Sequence, residues 1–312
     1  MLMRIRKFIP TPAKAKMFFF VLMHFLKRKD DRLASWVKEE WNQPEPTFES
    51  LTSQLVTENQ FRSPDYRHWC EEMKETPVPR RKQWEFCYVL QALRQHGLIK
   101  QGSNGLGFGV GTEPLPALLA RHGCHIVATD QQLEQAKRQG WTTSQEHASH
   151  LSMLNTKGIC PDDVFNARVT FQVVDMANIP STLREFDFVW SCCSLEHLGS
   201  IDKGIQFICQ SLSCLKTGGI AIHTTELNLS SDEHTISKGP TVLFRKQDIA
   251  RLIEEVQRAG GTVMLVNYHS GTGRLDQHID VPYYKFNPHY KLLLGSYITT
   301  SIGLIIQKIE VV

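Results

Sequence analysis

The chain has 312 residues, 41% of them hydrophobic, which suits one α/β domain with additions or two small domains. Its net charge is +3, but residues 1–30 hold eight Lys and Arg against one Asp, so the rest of the chain carries −4. A body of that charge argues against a nucleic-acid partner. The eight cysteines form no CxxC pair and no disulfide framework, which indicates a reducing compartment and gives no support to a zinc site.

The N-terminal segment is basic and apolar. Residues 17–26 form an apolar run with Lys14 and Lys16 before it and three basic residues after it. The run is shorter than the roughly 20 residues that span a bilayer, and no signal-peptide cleavage site follows it. Two interpretations stay open. The segment is a helix that lies on an anionic inner membrane surface or packs on a partner, or it is a helix docked on the protein's own core.

Residues 31–80 are polar, with scattered prolines, and predict short helices and loops. We therefore assign residues 1–80 to a helical N-terminal extension and residues 81–312 to the main domain. Residues 80–93 have helical periodicity, with Trp84, Cys87, Leu90 and Leu93 on one apolar stripe.

After residue 97, apolar blocks alternate as strands and helices, which predicts an α/β fold with a mostly parallel sheet. Strands are predicted at 105–108, 125–129, 169–175, 186–193, 220–225, 262–267 and 301–309, and helices at 113–121, 131–139, 201–215 and 245–259. Two segments interrupt the alternation. Residues 140–168 are predicted to be an insertion, and residues 268–300 form a connection of a length that is usually functional or disordered.

A glycine-rich turn follows the first of these strands, and Asp130 ends the second. Glycines let the backbone approach a ligand closely, and an acid in this place accepts hydrogen bonds from ribose hydroxyls. A dinucleotide fingerprint would have its third glycine at Thr112, which disfavours a nicotinamide cofactor. The spacing Gly107-x-Gly109-x-Gly111 instead resembles motif I of class I S-adenosylmethionine (SAM) methyltransferases, although such a triplet also occurs in ordinary turns.

Three later motifs extend this resemblance. Asp175-Met176 after the third strand is similar to the family's adenine-binding motif, although an Asp there is often just a turn residue. Residues 186–198 resemble the strand whose end borders the sulfonium, and residues 216–219 read Lys-Thr-Gly-Gly before the next strand. The resemblance implies a Rossmann-like seven-stranded methyltransferase fold with an antiparallel edge strand, SAM as cofactor and a cytoplasmic location. The cofactor residues that it implies are Gly107, Gly109, Gly111, Asp130, Asp175, Met176 and Ser191.

A hydroxyl acceptor must lose its proton, so a base is expected near the carboxyl ends of the strands. His197 is the first choice, because the Glu-His pair of the family faces the acceptor, and His223 and Glu226 are the other catalytic candidates. Some relatives use Glu-x-x-Glu-His to hold a divalent metal. This chain has Cys193 in place of the first Glu, so we predict no metal site, although Glu196 and His197 with His223 or Glu226 could form a reduced one.

The connection 268–300 combines aromatic residues with acids and histidines, as a sugar site does, although a surface loop rich in turn formers would look similar. Residues 240–244, Asp276-x-His278-Ile-Asp280 and the Ser/Thr-rich last strand resemble methyltransferases of bacterial surface-polysaccharide and glycolipid clusters. The resemblance implies O-methylation of a saccharide or glycoconjugate. Two alternatives stay open: methylation of a small metabolite or quinone precursor, and a catalytically silent SAM-binding domain that acts through a partner. The sequence does not predict an oligomeric state.

Overall fold

The computed structural model describes residues 43–140, 146–284 and 287–310. The chain divides into two units, Met1–Pro44 and Glu45–Val312, and the second contains the elements below. The expectations for residues 1–30 lie outside the described residues. Within those residues, no helix combines the length and the apolar character needed to cross a membrane.

Ten strands form one twisted sheet in the order β4-β3-β2-β5-β6-β10-β1-β8, with β7 and β9 also paired to β10. The strands are β1 (Ser53–Leu55), β2 (Asn104–Phe108), β3 (His125–Asp130), β4 (Val169–Val173), β5 (Phe186–Cys192), β6 (Leu215–Asn228), β7 (Gly261–Val263), β8 (Val266–Asn267), β9 (Lys291–Leu294) and β10 (Tyr297–Lys308). The helices are α1 (Glu58–Phe61), α2 (Pro64–Glu72), α3 (Arg81–Gln95), α4 (Leu115–Arg121), α5 (Leu133–Gln139), α6 (Asp162–Arg168), α7 (Ile201–Ser211) and α8 (Lys246–Arg258).

The predicted α/β, Rossmann-like fold with a mostly parallel sheet is confirmed. Strands β4, β3, β2, β5 and β6 are parallel neighbours, and β10 runs antiparallel to β6. The predicted position of β10 at the edge is wrong, because β1 and β8 continue the sheet beyond it. The predicted strand 262–267 consists of two pieces, since β7 pairs with β10 while β8 pairs with β1.

The predicted domain boundary at residue 80 differs from the structure, in which residues 45–80 belong to the same compact unit as the sheet. Strand β1 lies beside β10, and the indole of Trp69 on α2 donates to Gln91 on α3 at 2.8 Å. Gln60 on α1 accepts from the indole of Trp84 on α3 at 2.7 Å. The segment contributes large buried side chains to the core, so it is part of the domain.

Helix α3 lies directly against the sheet. A Cβ at Gly303 of β10 would stand 2.2 Å from the Tyr88 ring of α3, so a glycine is needed there for close packing. On the other side, α7 and α8 contribute Phe207 and Leu252 to a second apolar cluster. This packing fixes the N-terminal end of α3 near the carboxyl end of β5, where Lys82 Nζ donates to the carbonyl of Cys192 at 3.1 Å.

The two predicted insertions contain ordered elements. The described part of 140–168 holds a 3₁₀ turn, Leu151–Asn155, and helix α6, which leads into β4. The connection 268–300 holds β9. It is fastened by Asp276, which accepts from the Glu58 and Gly273 amides at 2.8 and 2.9 Å and from Tyr290 Oη at 3.0 Å.

Candidate methyl-donor and acceptor site

A cavity of about 990 Å³ lies at the carboxyl ends of β2, β3, β4 and β5, where ligands bind in open α/β sheets. Its volume is at the upper end for a small-molecule site, which leaves room for a cofactor and a second ligand. One half is lined by the glycine loop, Asp130, Asp175 and Met176; we name it the cofactor half. The other half, lined by Arg81, Lys82, Glu85, Glu196, His197, Glu226, Tyr284 and His289, we name the acceptor half.

The glycine loop borders the cavity through Gly109 and Gly111, whose φ angles of 58° and 50° are left-handed. A Cβ on Gly109 would lie 2.9 Å from the Ser194 Cβ, and one on Gly111 would lie 2.3 Å from the Glu146 carbonyl oxygen. Gly107 does not line the cavity. It instead allows close packing between strands, since its Cβ would stand 2.4 Å from the Trp190 ring.

Asp130 holds the glycine loop through its carboxylate. Oδ2 accepts from the amides of Gly111 and Ala148, both at 3.1 Å, and Oδ1 accepts from the Gln131 amide at 2.8 Å. Burial raises the pKa of Asp130, and these backbone donors partly offset the rise. A carboxylate can accept about four hydrogen bonds. The backbone supplies three of them to Asp130, which leaves about one position for a ligand.

Asp175 and Met176 line the far end of the cofactor half. Asp175 accepts from the Ala177 amide at 2.9 Å and from the Asn178 side chain at 3.0 Å, so it also organises a turn. The Met176 sulfur lies 3.4 Å from the Cβ position of Gly109. The thioether therefore closes the wall beside the glycine loop.

Ser191 and His223 do not line the cavity, which contradicts their predicted roles. Ser191 Oγ lies 2.8 Å from His223 Nδ1, and Ser211 Oγ lies 3.2 Å from His223 Nε2, so both ring nitrogens are bonded within the core. Burial lowers the pKa of His223 to about 3. The reason is the two-residue period of a strand, which points these neighbouring side chains to the face covered by α7.

The N-terminal turn of α3 brings charged side chains into the acceptor half. Arg81 forms an ion pair with Glu226, which also accepts from Thr299 Oγ1 at 3.0 Å. Burial alone would lower the pKa of Arg81, but Glu226, Cys193 and Glu85 together raise it above its usual value. Glu226 therefore lines the cavity, and its charge is matched by Arg81, which was not among the residues predicted for the site.

Glu85 lies beside this pair. It accepts from Ser301 Oγ at 2.6 Å and from Cys193 Sγ at 2.9 Å, and Lys82 Nζ stands 3.3 Å away. Burial would raise the pKa of Glu85, but Lys82 and then Arg81 lower it below its usual value. Glu85 is thus an ionised carboxylate: its Oε1 accepts both hydrogen bonds, whereas its buried Oε2 has the ion pair with Lys82 and no hydrogen bond among the described residues.

The 3₁₀ turn Leu195–His197 follows β5. His197 lines the cavity and lies with Nδ1 at 2.8 Å from the Pro240 carbonyl oxygen. Glu196 also lines the cavity and is buried. Its Oε2 accepts from Thr225 Oγ1 at 3.1 Å.

Tyr284 and His289 reach the acceptor half from the connection 268–300, with their ring centres 5.5 Å apart. His289 Nδ1 lies 2.7 Å from Asp280 Oδ2. Two other residues of this connection lie away from the cavity. Asp276 and Tyr290 are buried in the fastening network.

Glu113, which was not among the residues predicted for the site, also lines the cavity. Trp190 Nε1 donates to its Oε1 at 2.6 Å. Burial raises the pKa of Glu113 to about 8, in spite of the Trp190 bond and nearby Lys82. Its position just after the glycine loop could have identified it.

No group of three or more His, Cys, Asp or Glu side chains suited to a metal ion occurs within residues 43–140, 146–284 and 287–310.

The family model described as "Methyltransferase domain" matches residues 81–268, which is more than half of the chain. The chain therefore belongs to this methyltransferase family. The cradle at Gly109 and Gly111, where a Cβ would collide with neighbouring atoms, and the acid at the end of β3 fit the adenosine-type cofactor that the glycine spacing predicts.

Several solved structures are similar to the chain. A candidate sarcosine dimethylglycine methyltransferase from Galdieria sulphuraria is 19% identical, with 57% of this chain and 60% of that chain covered and a TM-score of 0.40. Magnesium protoporphyrin IX methyltransferase from Synechocystis PCC 6803 with bound S-adenosylhomocysteine (SAH) is 13% identical, with 78% and 95% covered and a TM-score of 0.42. The match thus spans three fifths of the length of the Galdieria protein. No curated protein matches the chain.

Proposed function

We propose that the protein transfers the methyl group of SAM to an oxygen of a saccharide or glycoconjugate. The observation that carries this proposal is the composition of the acceptor half, which is lined by the carboxyl groups of Glu85, Glu196 and Glu226 and by the rings of Tyr284 and His289. Carboxylates accept hydrogen bonds from sugar hydroxyls, and aromatic rings cover the apolar C–H surface of a sugar.

The cofactor half would hold SAM by its parts. We propose that Asp130 uses its remaining acceptor position for the ribose, that Asp175 and Met176 contact the adenine, and that the Gly109–Gly111 loop lies along the methionine end. When bound, SAM supplies an electrophilic methyl group. The protein's contribution is to align the acceptor oxygen with that group, and positioning of this kind supplies much of the rate.

The acceptor also loses a proton, so a base must lie beside it. Of the three bases predicted from the sequence, Glu226 is held by Arg81 and Thr299 and His223 is buried in the core, so His197 in the turn Leu195–His197 remains. His197 bonds the Pro240 carbonyl through Nδ1; a neutral imidazole that donates there carries its lone pair on Nε2. Glu196 is the second candidate in the same turn.

The test is methyl transfer from labelled SAM to nucleotide sugars, glycolipids and phenols, read by mass spectrometry as the mass of one added methyl group. We expect turnover with a saccharide-containing acceptor. Transfer to phenols or small metabolites alone would favour the alternative function.

Two neighbouring tyrosines provide a matched pair of variants. Tyr284 lines the cavity, whereas Tyr283 is 96% exposed and does not line it. Tyr284→Ala should raise KM for the saccharide about tenfold, the loss of one aromatic contact of roughly 1 kcal/mol or slightly more, and Tyr283→Ala should leave KM unchanged. Equal effects of the two variants would contradict a sugar-contacting role for Tyr284.

A further inference from the structure

Glu196 is buried in the wall of the cavity, with 0% of its surface exposed. Thr225 Oγ1 donates to its Oε2 at 3.1 Å, whereas its Oε1 is buried and has no hydrogen-bond partner among the described residues. Buried carboxylate oxygens rarely lack a donor, and such an exception in a functional cavity points to a ligand or to chemistry. The carbonyl of Glu196 accepts from the Val242 amide at 3.0 Å, so the backbone of this residue is fixed.

The charged and titratable groups around Glu196 are engaged elsewhere. From α3, Arg81 pairs with Glu226 of β6, and Lys82 pairs with Glu85. Just before the turn of Glu196, Cys193 Sγ donates to Glu85 at 2.9 Å.

The two histidines near the turn also have contacts of their own. His197 is directed towards Pro240 and Thr241, and His289 contacts Asp280. The two ion pairs cancel in charge. Among the three glutamates of the acceptor half, Glu226 and Glu85 have ion pairs, and Glu196 has none with a described Lys or Arg.

The turn that carries Glu196 stands between the two halves of the cavity. Ser194, two residues before it, lies 2.9 Å from the Cβ position of Gly109 in the glycine loop. Thr225, which holds its Oε2, is adjacent to Glu226 in the acceptor half. A group in this place is near both the methyl donor and the acceptor.

We propose that Glu196, rather than His197, is the catalytic base that takes the proton of the acceptor hydroxyl. The proposal rests on the proposed O-methylation. The acceptor O–H bond breaks and its proton moves to Glu196 Oε1. The freed lone pair forms the O–CH₃ bond, and the S–CH₃ bond breaks with its electron pair kept by sulfur.

The electrostatics of the cavity support this assignment. Burial raises the pKa of Glu196, and the neighbouring His197 offsets only part of that rise. An acid of raised pKa is suited to accept a proton near neutral pH. The positive charge of the methyl donor would match the ionised Glu196, and its loss coincides with protonation of Glu196, so the cavity has the same net charge before and after transfer.

Glu196→Gln and His197→Gln test the assignment in the full chain with SAM and a saccharide acceptor. Glu196→Gln should lower kcat by about 100- to 10,000-fold, the usual contribution of a general base, and abolish the acidic limb of the pH–rate profile. Its Kd for SAH should stay unchanged, which shows an intact fold. His197→Gln should lower kcat by less. The assignment is overturned if His197→Gln has the larger effect or if Glu196→Gln keeps the acidic limb.

A second measurement needs no acceptor, so its result is independent of the proposed function. Sinefungin carries an ammonium group where SAM has its sulfonium, whereas SAH is uncharged there. We expect the wild-type protein to bind sinefungin about tenfold more tightly than SAH, a preference of roughly 1.4 kcal/mol, and Glu196→Gln to remove this preference. Glu254→Gln, an exposed change on α8, is the matched control and should keep it. A preference that survives in Glu196→Gln would refute the base assignment, whether or not a saccharide is methylated.

Discussion

Buried acids along one cavity differ in charge because their neighbours differ. Glu85 is kept ionised by Lys82 and Arg81, which lower its pKa. Glu113 has Trp190 as its close donor at 2.6 Å, and burial raises its pKa to about 8. A neutral donor stabilises a carboxylate less than a cation does. The protein therefore carries a protonated glutamic acid beside its cofactor loop at neutral pH.

Glu113 makes stability depend on pH in a predictable direction. Its pKa is about 8 in the folded protein and near 4.5 when unfolded, so between these values the folded state binds one more proton. The free energy of unfolding then falls as pH rises through this window, by up to about 1.4 kcal/mol per pH unit from this group. Glu113→Gln keeps an acceptor for Trp190 and should remove this contribution.

Urea unfolding of both proteins between pH 5 and pH 9, without ligand, measures the effect of Glu113→Gln. The difference in unfolding free energy should shift steadily in favour of the variant as pH rises to about 8 and should then level off. A difference that does not change with pH would show that Glu113 is ionised throughout.

At the scale of elements, the connection 268–300 has two separate tasks. Its first part is fastened to α1 by Asp276 and Glu58, with the Leu275 amide donating to Glu58 at 2.6 Å. Lys291 Nζ adds bonds to the carbonyls of Ser270 and Asp276 at 2.6 and 2.7 Å. Its later part places Tyr284 at the cavity. The buried network holds the loop so that its aromatic residues face the acceptor half.

Asp276→Ala should separate these tasks. The change leaves the Glu58 amide, the Gly273 amide and Tyr290 Oη without their acceptor, which we expect to cost about 2–4 kcal/mol of unfolding free energy. Urea unfolding measures this, and isothermal titration should show an unchanged Kd for SAH because the cofactor half is built from other elements. Asp163→Ala on the exposed side of α6 is the control. A loss of SAH affinity as large as the loss in stability would contradict a local role.

Elements with strong periodicity were predictable from the sequence, and those defined by distant partners were not. Continuous apolar runs identified β5 and β10, and the Gly109–Gly111 loop was located by its spacing. Strand β1 has only three residues, too few to show a periodic pattern, and it forms because β10 offers an edge for pairing.

The predicted roles of Ser191 and His223 do not match the structure for a single reason. Side chains alternate between the two faces of a strand, so an error of one residue in assigning the faces moves a residue from the cavity into the core.

At the scale of the whole molecule, the described residues that line the cavity lie within the unit Glu45–Val312. The sheet supplies the carboxyl ends, and the segment from β1 to α3 supplies Arg81, Lys82 and Glu85. Residues 1–30 contribute a charge of +7 and none of the described lining. The described cavity residues and the basic residues 1–30 thus occupy different parts of the sequence. Truncation can therefore test whether the basic segment binds an anionic membrane.

A chain of residues 45–312 should unfold at the same urea concentration as the full chain and bind SAH with the same Kd. The full chain should sediment with vesicles that contain anionic lipid, because each basic residue near such a surface contributes about 1 kcal/mol, and this binding should weaken as salt screens the charges. The truncated chain should stay in the supernatant, as should both chains with neutral vesicles. If the truncated chain sediments as well as the full chain, the basic segment is not the membrane contact, and a truncated chain that loses stability would instead place residues 1–44 against the protein's own core.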